Sequence, residues 1–493
     1  MQPSGQFDCR LLPNSAFRPP TSNRHPCRTN NTNMGLIDFV LRLLGISRKP
    51  APAESGEREV SSTANEAPFE SVLTAEPAVP ASPPPAPADT STVARPSTRA
   101  ENRASKLKPF APETYQSSLV RTNPLREVSQ GKPYQFAWFG DKRGQYRDLS
   151  LDCDQRWLDY FGLPVLKTPQ DIADWLQVPI GKLAWMTHRT VRGQRAESEQ
   201  KSHYTYHWIP KKTGGYRLIE APKSELKEIQ TRILRELLSL VPPHRAAHGF
   251  VAGHSILTNA EPHVGQRLVL KFDLENFYTN IRYSRVVAIF RSVGYSREVA
   301  LWLARLTTNS IPWDLKSPLK SWELQPYSSR HLPQGAPTSP ALANLSAFGL
   351  DVRLTGLAEA YELEYTRYAD DLTFSGPGVV IPALPEVIPL IERIIRNERF
   401  RSRGRKRRVL RDSSRQSVTG VVVNEKLNVS RKEFDQLKAI LHNCRKLGPS
   451  TQKRDLTCDL QSHLLGRISH VQQLNPERGA KLRRIYDEVN WTK

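Results

Sequence analysis

Two adjacent aspartates, Asp370 and Asp371, stand between short runs of β-branched and aromatic residues. Such runs are typical of strands, so segment 365–375 predicts a strand, a tight turn and a return strand. Two carboxylates at a hairpin tip repel each other. A divalent cation would relieve this repulsion, because Mg²⁺ binds carboxylate oxygens together with the phosphates of a substrate. The alternative is a solvated turn, since aspartate is common in turns.

A third carboxylate follows a second predicted strand. Residues 267–272 are mostly apolar, and Asp273 stands where this strand gives way to a loop. Together with Asp370 and Asp371 it would complete a site for two metal ions, which can activate an attacking hydroxyl and stabilise a leaving pyrophosphate. Many α/β proteins end a strand with aspartate, so Asp273 gains its meaning only from the pair.

Two further segments have side chains suited to a nucleotide. A loop at 332–340 precedes a predicted helix; its Gly335 allows close approach of another backbone, and its Gln334 can hydrogen-bond a sugar or a base. A hairpin predicted at 204–222 has Lys211 and Lys212 at its tip and Arg217 on its return strand. Arginine and lysine can clamp a triphosphate, although exposed surface charge is an equal alternative.

Taken in order, these segments resemble the palm motifs of reverse transcriptases. The matching residues are Asp273 with Phe277 four positions later, the Gln334-Gly335 loop before a helix, and Tyr368-Ala369-Asp370-Asp371. The order and the spacing together make this resemblance specific.

Two more elements are similar to those of bacterial retron reverse transcriptases. Asn259-Ala260-Glu261-Pro262-His263 fits an Asn-Ala-x-x-His element, and Val418-Thr419-Gly420 fits a Val-Thr-Gly element. The resemblance covers roughly residues 160–490. Some retron enzymes of myxobacterial type also have a long N-terminal extension, as this chain does.

The resemblance implies an α/β right-hand polymerase, with fingers, palm and a helical thumb, that acts as an RNA-directed DNA polymerase. It further implies that the enzyme copies part of its own structured noncoding RNA, primes from an RNA 2′-OH and makes branched multicopy single-stranded DNA, with a role in antiphage defence. The partners would be that RNA, its DNA product, deoxynucleoside triphosphates and an accessory or effector protein. Another reverse transcriptase class (intron-encoded or diversity-generating) and a non-catalytic RNA-binding scaffold are the alternatives.

The same resemblance assigns roles to the acidic and aromatic residues of the site. Asp273, Asp370 and Asp371 would hold two Mg²⁺ ions, with Mn²⁺ as an alternative. Phe277 would be the steric gate that rejects a ribose 2′-OH, and Phe277→Ala would then raise ribonucleotide incorporation. If Phe277 is only a core aromatic, sugar selectivity would not change.

Roles also follow for the cationic residues and the two retron elements. Gln334 and Gly335 would line the nucleotide pocket, and Arg217 with Lys212 would contact the triphosphate. Lys406 would protonate departing pyrophosphate, although its basic neighbours make a nucleic-acid-binding or solvated face equally plausible. A family-specific role at the nucleic acid is expected for the residues of the two retron elements, namely Asn259, Ala260, His263, Val418, Thr419 and Gly420.

Composition agrees with a polyanionic partner. The net charge is +22 and the pI about 9.9, which favours nucleic-acid binding by counterion release. The five cysteines show no CxxC pairing, so we expect reduced thiols and a cytoplasmic location. No apolar run approaches the roughly 20 residues of a membrane span, and no signal peptide is expected.

Four regions are predicted along the chain. Residues 1–110 are read as a disordered Pro/Ala/Ser-rich extension, with a short helix at 35–45 and with Met34 as an alternative start. Residues 111–200 would be a helical region leading into the fingers, with a helix starting after Thr168. Residues 201–425 would form fingers and palm, including an amphipathic helix at 226–240, and 426–493 a basic helical thumb that grips a duplex.

Overall fold

The computed structural model of the protein describes residues 128–129, 131–139, 145–187, 195–211, 214–452 and 459–491. The predicted extension at 1–110, with its helix at 35–45 and Met34, lies outside the described residues, as does Lys212. Within the described ranges, no helix is both long enough and apolar enough to cross a membrane.

The described chain begins with a small sheet and three helices. Strands β1 (Val128–Ser129), β2 (Trp138–Phe139) and β3 (Tyr146–Arg147) pair antiparallel in the order β1-β3-β2. Helices α1 (Gln155–Phe161), α2 (Pro169–Leu176) and α3 (Ile180–Met186) follow. The predicted start of α2 is confirmed: the Asp171 N–H donates to Thr168 Oγ1 at 3.3 Å, and proline occupies the first helical position.

The predicted cationic hairpin is also confirmed. Strands β4 (Tyr204–Pro210) and β5 (Tyr216–Pro222) pair antiparallel over their full length. Helix α4 (Ser224–Glu236) follows, and the chain then forms a 3₁₀ turn over Leu238–Leu240. The amphipathic helix predicted at 226–240 therefore ends earlier than expected, because the backbone at Leu237 departs from helical geometry.

The remaining elements alternate helices with short strands, and three helices close the chain as the thumb prediction requires. In order they are α5 (Ile256–Ala260), β6 (Leu268–Asp273), α6 (Tyr283–Ser292), α7 (Arg297–Thr307), α8 (Ser321–Ser328), α9 (Ser339–Ser346), α10 (Phe348–Ala360), β7 (Glu364–Tyr368), β8 (Asp371–Gly376), α11 (Leu384–Asn397), β9 (Arg408–Arg411), β10 (Ser417–Val418), β11 (Val421–Val422), α12 (Arg431–Leu447), α13 (Leu460–Leu474) and α14 (Pro476–Asp487).

A four-stranded antiparallel sheet positions the site. Its order is β7-β8-β6-β9, and β7 and β8 form the hairpin predicted around the aspartate pair. Alternate residues along a strand face opposite sides. One face bears Leu270, Phe272, Leu372 and Phe374, all buried in the main hydrophobic core with the surrounding helices. The opposite face is therefore the one that carries the acidic residues.

A second hydrophobic core covers the far end of that opposite face. Val269 of β6 belongs to this core together with Val418 and Val421 of the β10–β11 hairpin and Leu437 and Leu464 of the last helices. The final helices thus pack on the palm sheet at the end away from the aspartates. The mixed α/β architecture agrees with a polymerase fold.

The predicted domain boundaries stay predictions, and two observations bear on them. The main core includes Leu158, Ile172 and Leu183 of α1–α3 as well as the palm strands, so region 111–200 shares its core with the palm. The second core runs from Val418 into the thumb helices, across the boundary placed at 425.

Candidate active site

Strand register brings the three aspartates together. Asp273, the last residue of β6, is the direct partner of Asp371, the first residue of β8. Asp371 also pairs with Tyr368 on its other side, so the side chains of Asp273, Asp371 and Tyr368 lie in one row on one face of the sheet. Asp370 lies at the turn, where its carbonyl accepts a hydrogen bond of 2.8 Å from the Leu274 N–H. The strand register thus places Asp273 beside Asp371, with Asp370 at the adjoining turn.

Burial and mutual repulsion act on the aspartate pair. Both side chains are half-buried. Burial raises the pKa of Asp370, and the charges of Asp371 and Asp273 raise it further. Burial also raises the pKa of Asp371, with a smaller lowering contribution from Lys271. The folded chain thus concentrates negative charge that a cation would stabilise.

Asp273 is the most enclosed of the three carboxylates, and it contacts two cations. Lys406 Nζ donates to Asp273 Oδ2 at 2.8 Å, and Arg403 Nε lies 3.6 Å from Oδ1. Asp273 Oδ1 is buried and accepts no hydrogen bond. A buried carboxylate oxygen without a donor suits a metal ion, so this donor set fits Mg²⁺.

Among the described residues, no three or more His, Cys, Asp or Glu side chains are grouped so that they could hold a metal ion by themselves. This agrees with the manner in which Mg²⁺ is bound in phosphoryl-transfer sites, where one or two carboxylates act with waters and substrate phosphates. Lys406 now contacts an oxygen that a metal would also use. The predicted acid role of Lys406 stays a prediction, but the structure does place its ammonium at the site.

A buried ion pair supports the hairpin tip from the core side. Arg367 and Asp351 of α10 form two hydrogen bonds of 2.7 and 2.8 Å, and both side chains are fully buried. Arg367 also donates to Asn344 Oδ1 at 2.9 Å and to the Ala369 carbonyl at 3.1 Å. The tip is thereby tied to two helices. Sequence reasoning missed Arg367, which looks like an ordinary strand residue.

Cations of the fingers hairpin gather near Asp273. Burial lowers the pKa of Lys211, and the charges of Arg403, Arg217 and Lys406 lower it further, so each of these three cations lies within electrostatic reach of Lys211. Arg217 is exposed on β5. Such a group suits a triphosphate, as predicted. Arg403 was not considered from sequence; Lys211 was noted among the tip cations that could clamp a triphosphate, but the contact was assigned to Arg217 and Lys212.

The Gln334-Gly335 loop packs against the same hairpin. The Gln334 carbonyl accepts a hydrogen bond of 2.9 Å from the Glu220 N–H. Gly335 has φ +132°, and a Cβ there would lie 3.0 Å from the Glu220 carbonyl oxygen, so only glycine fits without strain. Glu220 itself is fully buried and bonds His331 Nε2 at 2.8 Å. The Gln334 side chain is half-buried, and its role in lining the nucleotide pocket stays a prediction.

The structure distinguishes Phe277 from its neighbour. The Phe277 ring is 4% exposed and packs against Phe400 at 5.7 Å between ring centroids. Tyr278 is half-buried, and its pKa is raised by burial and by the negative charge of Asp370. The geometry thus favours the core alternative for Phe277 and brings Tyr278 within electrostatic reach of the carboxylates. The tyrosine was not singled out from sequence.

The two retron elements meet on the aspartate-bearing side of the palm sheet. His263 is fully buried and bridges the hairpin, with Nε2 2.7 Å from Thr366 Oγ1 of β7 and Nδ1 2.6 Å from Ser375 Oγ of β8. Asn259 Nδ2 reaches Thr419 Oγ1 at 3.5 Å, although 160 positions separate them. The other members of these elements are buried or exposed as follows: Ala260 and Val418 are in the second core, and Gly420 is exposed.

Comparison with known proteins identifies related sequences. The reverse transcriptase (RNA-dependent DNA polymerase) family matches residues 209–423. The Retron Mx65 reverse transcriptase of Myxococcus xanthus is 42% identical over 340 residues, which cover 69% of this chain and 75% of that protein. The Retron Ec86 reverse transcriptase of Escherichia coli is 29% identical over 326 residues, covering 64% of this chain and 92% of the other.

Among solved structures, a telomerase from Candida albicans in complex with a fragment of telomeric RNA aligns at a TM-score of 0.34 and 13% identity. The alignment covers 57% of this chain and 54% of that telomerase, about half its length.

Proposed function

This chain belongs to the retron reverse transcriptases and is an RNA-directed DNA polymerase, and from this premise we propose which template it copies and how it starts. The proposed template is part of its own structured noncoding RNA. The proposed primer is a 2′-OH of that RNA, which makes the product a branched, multicopy single-stranded DNA. These proposals place the reaction at the aspartate pair. The observation that supports this placement most strongly is the row of Asp273, Asp371 and Tyr368 beside Asp370.

Reverse transcriptases of this family depend on divalent metal ions, and we assign the ligands to Asp273, Asp370 and Asp371. Two Mg²⁺ ions, or Mn²⁺ in their place, would activate the attacking hydroxyl and stabilise the leaving pyrophosphate. The donor set supports this assignment, since Asp273 Oδ1 is buried without a hydrogen-bond donor. Burial, with a further contribution from neighbouring carboxylates, raises the pKa of both Asp370 and Asp371, and bound cations would stabilise their charged forms.

The cations around the carboxylates would bind and orient the incoming nucleotide. Lys211, Arg217 and Arg403 are proposed to contact the triphosphate, with Lys212 as predicted from sequence. Lys406 is proposed to give a proton to the departing pyrophosphate. In the structure Lys406 neutralises Asp273 instead, so this role requires its ammonium to leave that carboxylate.

The sugar and base of the nucleotide would lie against the palm loop and the turn after β6. Gln334 and Gly335 are proposed to line this pocket, since their loop is fastened to the base of the cationic hairpin. Rejection of a ribose 2′-OH is proposed for Tyr278, which lies within electrostatic reach of Asp370. Phe277, to which the sequence analysis assigned this role, would instead pack against Tyr278 from the core.

The retron elements are proposed to connect nucleic-acid binding with the catalytic sheet. Buried Asn259, Ala260, His263 and Val418 would act as scaffold, because none of them reaches the surface. The half-buried Thr419 and exposed Gly420 are the members available to RNA. The basic helices α12–α14 would then grip the duplex through its backbone and shape.

Three further proposals follow from family membership alone. We propose a role in antiphage defence, an accessory or effector protein as partner, and a cytoplasmic location where the noncoding RNA is made. A net charge of +22 agrees with an RNA partner.

The test is self-primed synthesis. The protein is incubated with the structured RNA encoded beside its gene, deoxynucleotides and Mg²⁺, and the product is digested with ribonuclease. We expect DNA that keeps a ribonucleotide at its 5′ end, and no such product when the priming nucleotide lacks its 2′-OH. Extension of an annealed DNA primer without self-priming would favour another reverse transcriptase class. Binding without any synthesis would favour the scaffold alternative.

A further inference from the structure

Phe250 is an exposed aromatic residue held in a strained backbone conformation. Its side chain is 59% exposed, and its φ is +60°, in the left-handed region that bulky side chains rarely adopt. Neither burial nor backbone preference explains a phenylalanine at this position. Outliers of this kind cluster at functional sites, where the surrounding structure holds them in place.

The loop that bears Phe250 is fastened to the catalytic hairpin. The Arg367 N–H donates to the Ala246 carbonyl at 2.7 Å, and the His248 N–H donates to the Arg367 carbonyl at 2.8 Å. A Cβ on Gly249 would lie 2.7 Å from the backbone nitrogen of Ala369, so this position requires glycine for close approach. The position of Phe250 is therefore set relative to the hairpin tip.

Phe250 and Tyr368 together form an aromatic ledge beside the carboxylates. Their ring centroids are 6.3 Å apart and their planes are inclined by 41°. Tyr368 is half-buried and is the cross-strand partner of Asp371, so it lies in the same row as the acids. The ledge extends this row past β7, which is an edge strand of the sheet.

The cationic group lies toward the other side of the acids. Lys406 and Arg403 contact Asp273 on β6, and Lys211 and Arg217 belong to the same group. The triphosphate side and the aromatic side of the site are thus different. An extended strand that ends at the carboxylates would place its last nucleotide on the aromatic side, since the incoming nucleotide occupies the cationic side.

We propose that the Phe250–Tyr368 ledge binds the terminal nucleotide of the primer strand and so positions its hydroxyl at Asp370 and Asp371. Stacking on aromatic rings suits any base, as a polymerase requires, and contributes substantially to binding of each stacked base. The inference rests on the proposed placement of the site at these aspartates. Phe250 is thereby a positioning residue for the primer and has no role in the chemistry of the incoming nucleotide.

Primer extension on an annealed DNA primer and RNA template tests this proposal. Phe250→Asn keeps a residue that tolerates a left-handed backbone, so we expect its melting temperature to equal or exceed that of the wild type. Its KM for primer–template should rise about tenfold, an effect of the size of one lost stacking contact, while its KM for deoxynucleotides stays constant. Phe250→Trp should keep the wild-type KM.

Val379→Ala is the matched control, because Val379 is 74% exposed and lies beyond Gly376, the end of β8 away from the site. It should leave both KM values unchanged.

A 2-aminopurine at the primer 3′ end should be less quenched with Phe250→Asn than with the wild type. An unchanged primer KM in Phe250→Asn, or a rise in the deoxynucleotide KM instead, would overturn the proposal. Synthesis near the wild-type rate in Asp370→Asn would show that the site assignment itself fails, whereas loss of synthesis in Asp370→Asn together with an unchanged primer KM in Phe250→Asn would show that only the ledge proposal fails.

Discussion

Asp273 and Asp371 are direct partners in the antiparallel register of β6 and β8, so their carboxylates lie side by side at the end of the palm sheet. A shift of this register by one residue would turn one of the two acids toward the apolar core. The alternating apolar residues of both strands, buried on the opposite face, prevent that shift. Catalytic geometry thus depends on packing that occurs on the other side of the sheet.

The buried His263 predicts how stability changes with pH. Burial lowers its pKa from 6.5 to about 3, so below pH 6.5 the unfolded chain binds a proton that the folded chain does not. The contribution of His263 is therefore complete above about pH 6.5 and is lost as the pH falls toward 3, at about 1.4 kcal/mol per pH unit. His263→Gln should lose about 1.5–2 kcal/mol less stability than the wild type between pH 6.5 and 5.

Denaturant unfolding at several pH values measures this difference. His442→Gln is the control, because His442 is exposed on α12, and it should follow the wild type at every pH. Parallel curves for His263→Gln and the wild type would contradict the account of His263 as a neutral bridge between β7 and β8.

Sugar selectivity should separate Tyr278 from Phe277. Tyr278→Ala should raise ribonucleotide incorporation relative to deoxynucleotides by about tenfold or more, the scale on which steric contacts discriminate substrates. Phe277→Ala should instead lower the free energy of unfolding by about 3–5 kcal/mol, since it leaves a cavity in the core. Single-nucleotide incorporation kinetics with both sugars provide the measurement. Altered selectivity in Phe277→Ala alone would restore the assignment made from sequence.

The Arg367–Asp351 ion pair predicts a large stability effect. Arg367→Ala leaves the fully buried Asp351 carboxylate unpaired and should lower the free energy of unfolding by about 3–5 kcal/mol. Adding Asp351→Asn should recover part of this loss, because the uncompensated charge is removed. DNA synthesis should be slower than that of the wild type in both variants, since the contact between Arg367 and the Ala369 carbonyl is missing in each.

Arg245 and Glu359 provide a matched control for that pair. Glu359 lies on the same helix as Asp351. Unlike the buried pair, the side chains of Arg245 and Glu359 are 76% and 63% exposed. Arg245→Ala should change stability by less than about 1 kcal/mol. Equal losses in Arg367→Ala and Arg245→Ala, by urea unfolding, would show that burial does not set the strength of the Arg367 contact.

Much of the catalytic sheet was predictable from sequence, for a physical reason. Strands with alternating apolar residues and a hairpin with two acids have local signals, so the hairpin around Asp370 and the strand ending at Asp273 were both placed correctly. The start of α2 after Thr168 was predictable for the same reason, since helix capping depends on residues that are close in sequence.

Features that depend on distant partners were not predictable. Asn276, just before Phe277 and Tyr278, adopts a left-handed φ of +48°, and no spacing rule reveals that turn. Arg367 looks like a half-buried strand residue until its partner on α10 is known. Phe250 shows no signal of its own either, because its exposure follows from how Gly249 packs under the hairpin tip.

DNA synthesis by an Asp370→Asn, Asp371→Asn double variant tests the central claim most directly. Primer extension on an RNA template is measured beside the Kd for the same RNA. We expect the rate to fall by more than about a thousandfold, because loss of the metal-binding charges removes several kcal/mol of transition-state stabilisation, while RNA affinity stays close to that of the wild type. Synthesis at a rate near that of the wild type would contradict the assignment of these aspartates.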